Sequence, residues 1–201
     1  MASKGILCNQ LYYCEHLKLS AGTSREIDDF YITRESGKGL MSYLQVAAWK
    51  EEESGSNRTY FVRDMETDEL AAYFPLKAGL ISRNERVTEE RGVDSKVEFD
   101  TTPGIEIAEF GMNDAYLDKH PERKGSGLII FNDFIIPLIE QAAGIVGVQL
   151  VYIFAIPEDN LIERYQAEYG FMRLKSEDEE LLHTRLRPSF DEGCIFMYLM
   201  L

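Results

Sequence analysis

The stretch "HPERKGSGLIIF" (residues 120–131) sets Arg123 and Lys124 directly before a Gly-x-Gly, in a chain whose formal net charge is −14. Upstream, "IEIAEFGM" (105–112) reads as a strand. Downstream, "GSGLIIFNDFIIPLIEQAAGIVG" reads as an amphipathic helix, with Leu128, Phe131, Ile135, Leu138 and Ala142 on its apolar side and Asp133, Pro137, Glu140 and Gly144 on the other. Pro137 lacks an N–H and is expected to kink that helix. The unit is therefore strand, loop, helix, with "RKGSG" at the helix start. A helix start exposes unpaired N–H groups and a partial positive charge, glycines allow close backbone approach, and basic side chains add charge-assisted contacts. On this reading the two basic residues form a local phosphate clamp in a molecule whose overall charge repels phosphate.

The spacing limits which phosphate ligand fits. A Walker A loop places lysine after the second glycine, and here Lys124 precedes Gly125. A dinucleotide fingerprint asks for a third glycine where this chain has Ile130. On spacing alone, a plain turn capping a helix is favoured over a phosphate loop.

Around this unit, Leu40, Tyr43, Leu44, Ala47 and Ala48 form a helical stripe, and "RTYFVRD" and "ELAAYFPLKAGLIS" read as two strands joined at "METD". "RNERVTEERGVDSKVEFDTTPG" (83–104) reads as a long polar loop. "VQLVYIFAI" (148–156) reads as a strand buried on both faces, "LIERYQAEY" as a short helix, "GFMRL" as a short strand, "SEDEELLHTRL" as a capped helix and "CIFMYLML" as a last strand. With helical material ahead of the first of these strands, the order predicts a mixed α+β (α/β) fold in one domain, residues 1–201, with residues 1–39 as an N-terminal extension packed on it.

Composition bounds the function. With 201 residues, 45% of them hydrophobic and 28% charged, the chain suits one soluble domain of ordinary size. The acidic balance argues against nucleic acid as a partner and favours cationic ones, such as amines or basic peptides. The three cysteines, Cys8, Cys14 and Cys194, are odd in number and sparse, and the N-terminus shows no cleavable apolar leader. The longest apolar stretch, Leu128–Ile139, is interrupted by Asn132 and Asp133 and is too short to span a bilayer. The expectation is a cytoplasmic protein without membrane contact. Cys8, Cys14 and His16 show no paired ligand spacing, so no metal is expected.

From about residue 40 to the C-terminus the chain resembles the Gcn5-related N-acetyltransferase (GNAT) family. The matching features come in the family's order: a helix, the strand pair "RTYFVRD" and "ELAAYFPL", the central strand in "IEIAEFGMNDAY", the pyrophosphate loop in "ERKGSG", and "LVYIFAIPEDNLIERYQAEYGF". Three departures stand out. Glu122 replaces the loop's usual Gln or Arg, "LDKHP" is inserted before the loop, and one extra residue separates Tyr165 from Gly170. The resemblance implies the GNAT fold, a mostly antiparallel central sheet splayed between two parallel strands, with acetyl-CoA as cosubstrate in the cleft. It implies that backbone groups of Phe110, Gly111 and Met112 pair with the pantetheine arm, and that Arg123, Lys124, Gly125, Ser126 and Gly127 hold the pyrophosphate. It also implies Tyr165 as general acid toward the leaving thiolate, Glu109 or Glu106 as general base toward the amine, and Asn160 as a further cofactor or water contact.

The implied function is direct acetyl transfer from acetyl-CoA to a primary amine of a small molecule or peptide. Two alternatives stand beside it. One is a toxin that acetylates aminoacyl-tRNA, a branch that "GLMSYLQVAAWKEEESGSNRTYFVRDMETDELAAYFPL" (39–76) resembles. The other is a non-catalytic module of the same fold. The apolar last strand leaves room for a homodimer.

Overall fold

The computed structural model describes residues 5–19, 23–88, 96–183 and 193–201. It divides into two compact units: Met1–Lys77 with Ile107–Gln141, and Ala78–Glu106 with Ala142–Leu201. Strands β4 (Leu70–Thr88) and β5 (Lys96–Ile107) run from one unit's residues into the other's.

In the first unit, β1 (Leu7–Cys8) and β2 (Tyr12–His16) form an antiparallel hairpin. Asn9 shapes its turn by accepting the Leu11 and Tyr12 amides on its side-chain oxygen, an Asx arrangement. β2 pairs with β3 (Arg58–Asp64) in the register Tyr12↔Asp64 to His16↔Tyr60, and β3 pairs with the first part of β4. The N-terminal stretch expected to be helical thus supplies two strands as well as a short helix, α1 (Thr23–Asp28). The sequence hid β2 because Tyr12, Tyr13 and Cys14 are all buried, which erases the two-residue alternation of a half-buried strand.

The helical stripe is present as α2 (Lys38–Ser42), a π turn (Tyr43–Ala47) and α3 (Ala48–Ser54), closed by Gly55 in the left-handed region. Tyr43, Leu44 and Ala48 from this run pack with Leu17, Ile27, Phe30, Phe61, Leu70 and Tyr73 into one core.

Beyond β5 the expected strand 105–112 is interrupted. β5 ends at Ile107, Ala108–Phe110 lie outside regular structure, and β6 (Gly111–Met112) resumes by pairing with β4 through Tyr73↔Gly111 and Ala72↔Met112. Next comes α4 (Asp114–Lys119), N-capped by Asn113, whose side chain accepts the Ala115 amide. The long helix follows in three pieces: α5 (Gly127–Ile130), a π turn (Phe131–Ile135) and α6 (Ile136–Ala143). The π turn falls directly ahead of Pro137, where an α-helical bond is lost in any case. Its Ile136 amide reaches back to the Phe131 carbonyl.

In the second unit, β7 (Leu150–Ala155) runs parallel to β5, with Gly104↔Leu150 and Glu106↔Tyr152 in register. β9 (Ile195–Met200) lies antiparallel to β7, and the two-residue β8 (Met172–Arg173) pairs with β9. β7 is buried along almost its whole length, as its near-continuous apolar sequence predicts. Helices α7 (Asp159–Ala167) and α8 (Ser176–His183) complete this unit, whose core joins Ile81, Leu150, Tyr152, Leu182 and Phe196.

The segment 83–104, expected to be a loop, instead contains the end of β4 and the start of β5, while residues 89–95 lie outside the described set. A polar strand carries no apolar period to read, because its pairing is made by the backbone alone.

One ion cluster ties the first unit together. Arg63 on β3, its side chain only 5% exposed, meets Glu15 of β2 at 2.6 Å and holds both carboxylate oxygens of Glu26 on α1, at 2.8 and 2.7 Å. Removing the cation leaves two carboxylates facing each other. Arg63→Ala is expected to lower unfolding free energy by about 3 kcal/mol, read from the urea midpoint.

Candidate functional site

The loop between α4 and α5 is a short 3-10 turn (Pro121–Arg123) followed by Lys124, Gly125 and Ser126. Gly125 has φ +90°, a conformation that L side chains rarely adopt, and the space where a Cβ would stand is open. Glycine is therefore needed here for its backbone conformation and not for packing. At Gly111 the reason is reversed. A Cβ there would lie 2.9 Å from the Tyr73 ring, so glycine lets β6 close on β4.

The two basic residues take opposite directions. Lys124 is exposed and makes no ion pair with any described residue. Arg123 is turned inward: its Nε lies 3.6 Å from Asp64 Oδ2, its guanidinium sits 5.9 Å from the centre of the Tyr12 ring, and its side chain is 17% exposed. Ser126 is buried. Its hydroxyl donates to the Arg123 carbonyl at 2.5 Å and accepts from the Tyr12 hydroxyl at 2.8 Å, and its amide also reaches the Arg123 carbonyl at 3.1 Å. Both of its donors are thus used within the turn. Gly127, Leu128 and Ile129 open the helix, and Ser126, in the N-cap position, places no side-chain oxygen on their amides. Those amides and Lys124 form the donor set that the turn presents.

Asp64 anchors the underside. The Tyr116 hydroxyl donates to its Oδ2 at 2.5 Å, and the Glu66 and Thr67 amides donate to its Oδ1. Burial works against its ionisation, but the Tyr116 hydroxyl, these amides and the Arg123 guanidinium outweigh burial and hold the carboxyl below its ordinary value. Tyr116 is pushed the other way, first by burial and then by its bond to Asp64. His120, at the head of the loop, stacks on Tyr116 at 4.6 Å and sits between Glu69 at 2.6 Å and Glu122 at 3.6 Å. Glu122, the departure at the loop's first position, thus faces an imidazole.

The pantetheine-facing candidates lie where the strand breaks. Glu109 and Phe110 are half-buried in the irregular stretch, and Gly111 and Met112 form β6. The Asn113 amide bonds the Ala71 carbonyl of β4. By the two-residue alternation of a strand, the neighbouring Met112 amide points away from β4. Among the described residues no strand pairs that far edge of β6.

Tyr165 and Asn160 belong to the second unit, on α7. Asn160 is exposed in the first turn of α7, one residue past its start, and is not its cap. The half-buried Tyr165 ring packs against Tyr169 and Phe171 at 5.5 and 5.7 Å. The chain reverses at Gly170, φ +75°, so that the Phe171 amide returns to the Tyr165 carbonyl at 2.9 Å, and this turn takes up the extra residue. Glu106, also in the second unit, accepts from Tyr152 at 3.2 Å. Among the described residues no group of His, Cys, Asp and Glu is placed to hold a metal, and no helix is long and apolar enough to cross a membrane.

No protein-family profile matches the sequence, and no curated protein matches it. Solved structures do match. A bacterial toxin has a TM-score of 0.63 at 15% identity, over 94% of this chain and 90% of that one. AtaT complexed with acetyl-methionyl-tRNAfMet has 0.62 at 14%, over 94% of each chain. AtaTR bound with AcCoA has 0.60 at 13%, over 96% of this chain and 94% of that one. The fold is that of the GNAT acetyltransferases. At such identities the likeness is one of fold, and the GNAT architecture predicted from the ordered motifs is the one present. Within this GNAT fold, sequence reasoning missed Tyr12, Asp64 and Tyr116. No local pattern marks them, since they meet the loop and each other across 52 to 114 residues of chain.

The depressed carboxyl of Asp64 gives a pH signature. Its contribution to stability is complete above the ordinary carboxyl value of 3.8 and is lost as pH falls through its own lower value. Asp64→Asn is therefore expected to destabilise the protein at pH 7, with the difference from wild type narrowing below about pH 4, in urea titrations run across pH.

Proposed function

We propose that this protein is an acetyl-CoA-dependent N-acetyltransferase that transfers the acetyl group directly to a primary amine. The observation that carries the reading is the turn Arg123–Gly127: a left-handed Gly125 in open space, an exposed Lys124 and uncapped helix amides behind them. A diphosphate takes this donor set, from amides that converge at a helix start with one flexible cation beside them. The broken strand before the loop supports the same ligand, because the outward Met112 amide offers an extended arm a strand edge to pair with. The GNAT fold, found in solved proteins that include one bound with AcCoA, supports it further.

When bound, acetyl-CoA supplies an activated acyl group. The chain's own residues then have two tasks. One is to hold the ligand: the Gly127, Leu128 and Ile129 amides and Lys124 at the diphosphate, with Phe110, Gly111 and Met112 along the arm and Asn160 as a further contact. The other is to move protons. Tyr165 donates to the departing sulfur, and Glu109 accepts from the attacking amine, directly or through water. Arg123 and Ser126 serve the same loop from beneath, since their side chains engage Asp64 and Tyr12.

The net charge of −14 favours a cationic acceptor. A specific observation favours a second reading. A structure of this fold is AtaT complexed with acetyl-methionyl-tRNAfMet, and an aminoacyl-tRNA acceptor is the second reading. An assay that detects free CoA thiol, run with polyamines, basic peptides and charged tRNA, separates the two. Growth arrest on expression accompanies only the tRNA outcome.

Calorimetric titration is expected to show acetyl-CoA binding. Lys124→Ala should weaken it about tenfold, the effect of losing one charge-assisted contact. Tyr165→Phe should leave binding intact and slow transfer about a hundredfold. Absence of binding at millimolar CoA overturns the reading.

A further inference from the structure

The N-terminal hairpin reaches the underside of the glycine turn at one point. Tyr12 is fully buried on β2, and its hydroxyl donates to Ser126 Oγ, which in turn donates to the Arg123 carbonyl. The chain of donors runs one way, from the hairpin into the turn, and ends on a carbonyl that the Ser126 amide also reaches. Asp64, directly opposite Tyr12 in the β2–β3 register, holds Arg123 from the same side, and Tyr116 fixes Asp64 in turn. A second tie runs from the hairpin turn to the long helix, where Asn9 donates to Asp133 at 2.7 Å. The hairpin thus braces both the turn and the helix behind it. All of these groups lie within the first unit.

We propose that Tyr12 is a positioning residue for the diphosphate turn: acting through Ser126, it fixes the direction of the Gly127, Leu128 and Ile129 amides, so that the N-terminal hairpin sets the affinity for coenzyme A. The inference rests on the proposed acetyl-CoA reading and adds to it a determinant 111 residues upstream of Arg123, outside the stretch that resembles the GNAT family. The physical reason is geometric. Amides bind an anion well only when they converge, and a glycine at positive φ leaves the turn free to rotate unless something else fixes it. Ser126 does so through its amide and its hydroxyl together, and Tyr12 is the donor that orients the hydroxyl. Removal of the tyrosine hydroxyl leaves the ring, the β2–β3 pairing and the Arg123 contact with the ring in place.

The test is a double-mutant cycle on coenzyme A affinity, measured by calorimetry with Tyr12→Phe, Ser126→Ala and the pair together. Each single change is expected to weaken binding about tenfold, and the double no more than either alone, because both break one connection. A double variant about a hundredfold weaker, or singles indistinguishable from wild type, overturns the proposal. A general loss of stability does not produce that coupling. Backbone amide exchange in the ligand-free protein gives a separate readout: the Ser126 and Ile130 amides, bonded to the Arg123 and Ser126 carbonyls, are expected to exchange faster in Tyr12→Phe, with the amides of β3 unchanged. If wild type binds no coenzyme A, the acetyltransferase reading falls and takes the affinity claim with it, while the exchange result still decides whether Tyr12 holds the turn. Unchanged exchange at both amides overturns that as well.

Discussion

Ser126 lies at the base of the glycine turn with hydroxyl and amide both aimed at the Arg123 carbonyl, and the buried Tyr12 hydroxyl fixes it there. Much of the first unit is arranged around that constraint. The β2–β3 register places Tyr12 beside Asp64, and Asp64 in turn receives Tyr116 and faces Arg123. Each of these groups is polar and largely enclosed, and the buried Arg123 Nε, 3.6 Å from Asp64 Oδ2, is held by charge attraction and not by a hydrogen bond. The turn is therefore built from below. Its upper side, with Gly125, Lys124 and the first helix amides, is left open.

Under the proposed reading, that division reconciles an acidic chain with an anionic ligand. The net charge acts over distances that salt screens, whereas a helix start and one lysine act at contact range. The same acidic field suits an incoming amine. The proposed N-acetyltransferase would bring together one anionic and one cationic reactant, and opposite local and global signs in one molecule are consistent with that.

The sequence made some parts of this legible and hid others for definite reasons. Long amphipathic or wholly apolar segments could be read directly: the helix after Gly127, the buried β7 and the strand pair β3–β4. The hairpin β1–β2 could not, because burial on both faces removes the periodic signal from "YYC". The polar halves of β4 and β5 were read as loop for the opposite reason, since they carry no apolar period. The break at Ala108–Phe110 has no composition cue either. It shows only where Ala72 and Tyr73 take up Met112 and Gly111.

Arg123 and Lys124 illustrate the boundary most clearly. From sequence they are two equivalent cations before a glycine turn. In the fold one is turned inward to Asp64 and the other stands free in solvent. The sequence by itself determined the strand pair β3–β4, the buried β7 and the glycine turn at a helix start, because these depend on local spacing, and it carried the ordered motifs that resemble GNAT enzymes. Only the tertiary structure decided which donors stand open and which hold the turn, because that choice depends on Tyr12 and Asp64, brought to the loop across long stretches of chain by strand pairing that no local pattern encodes.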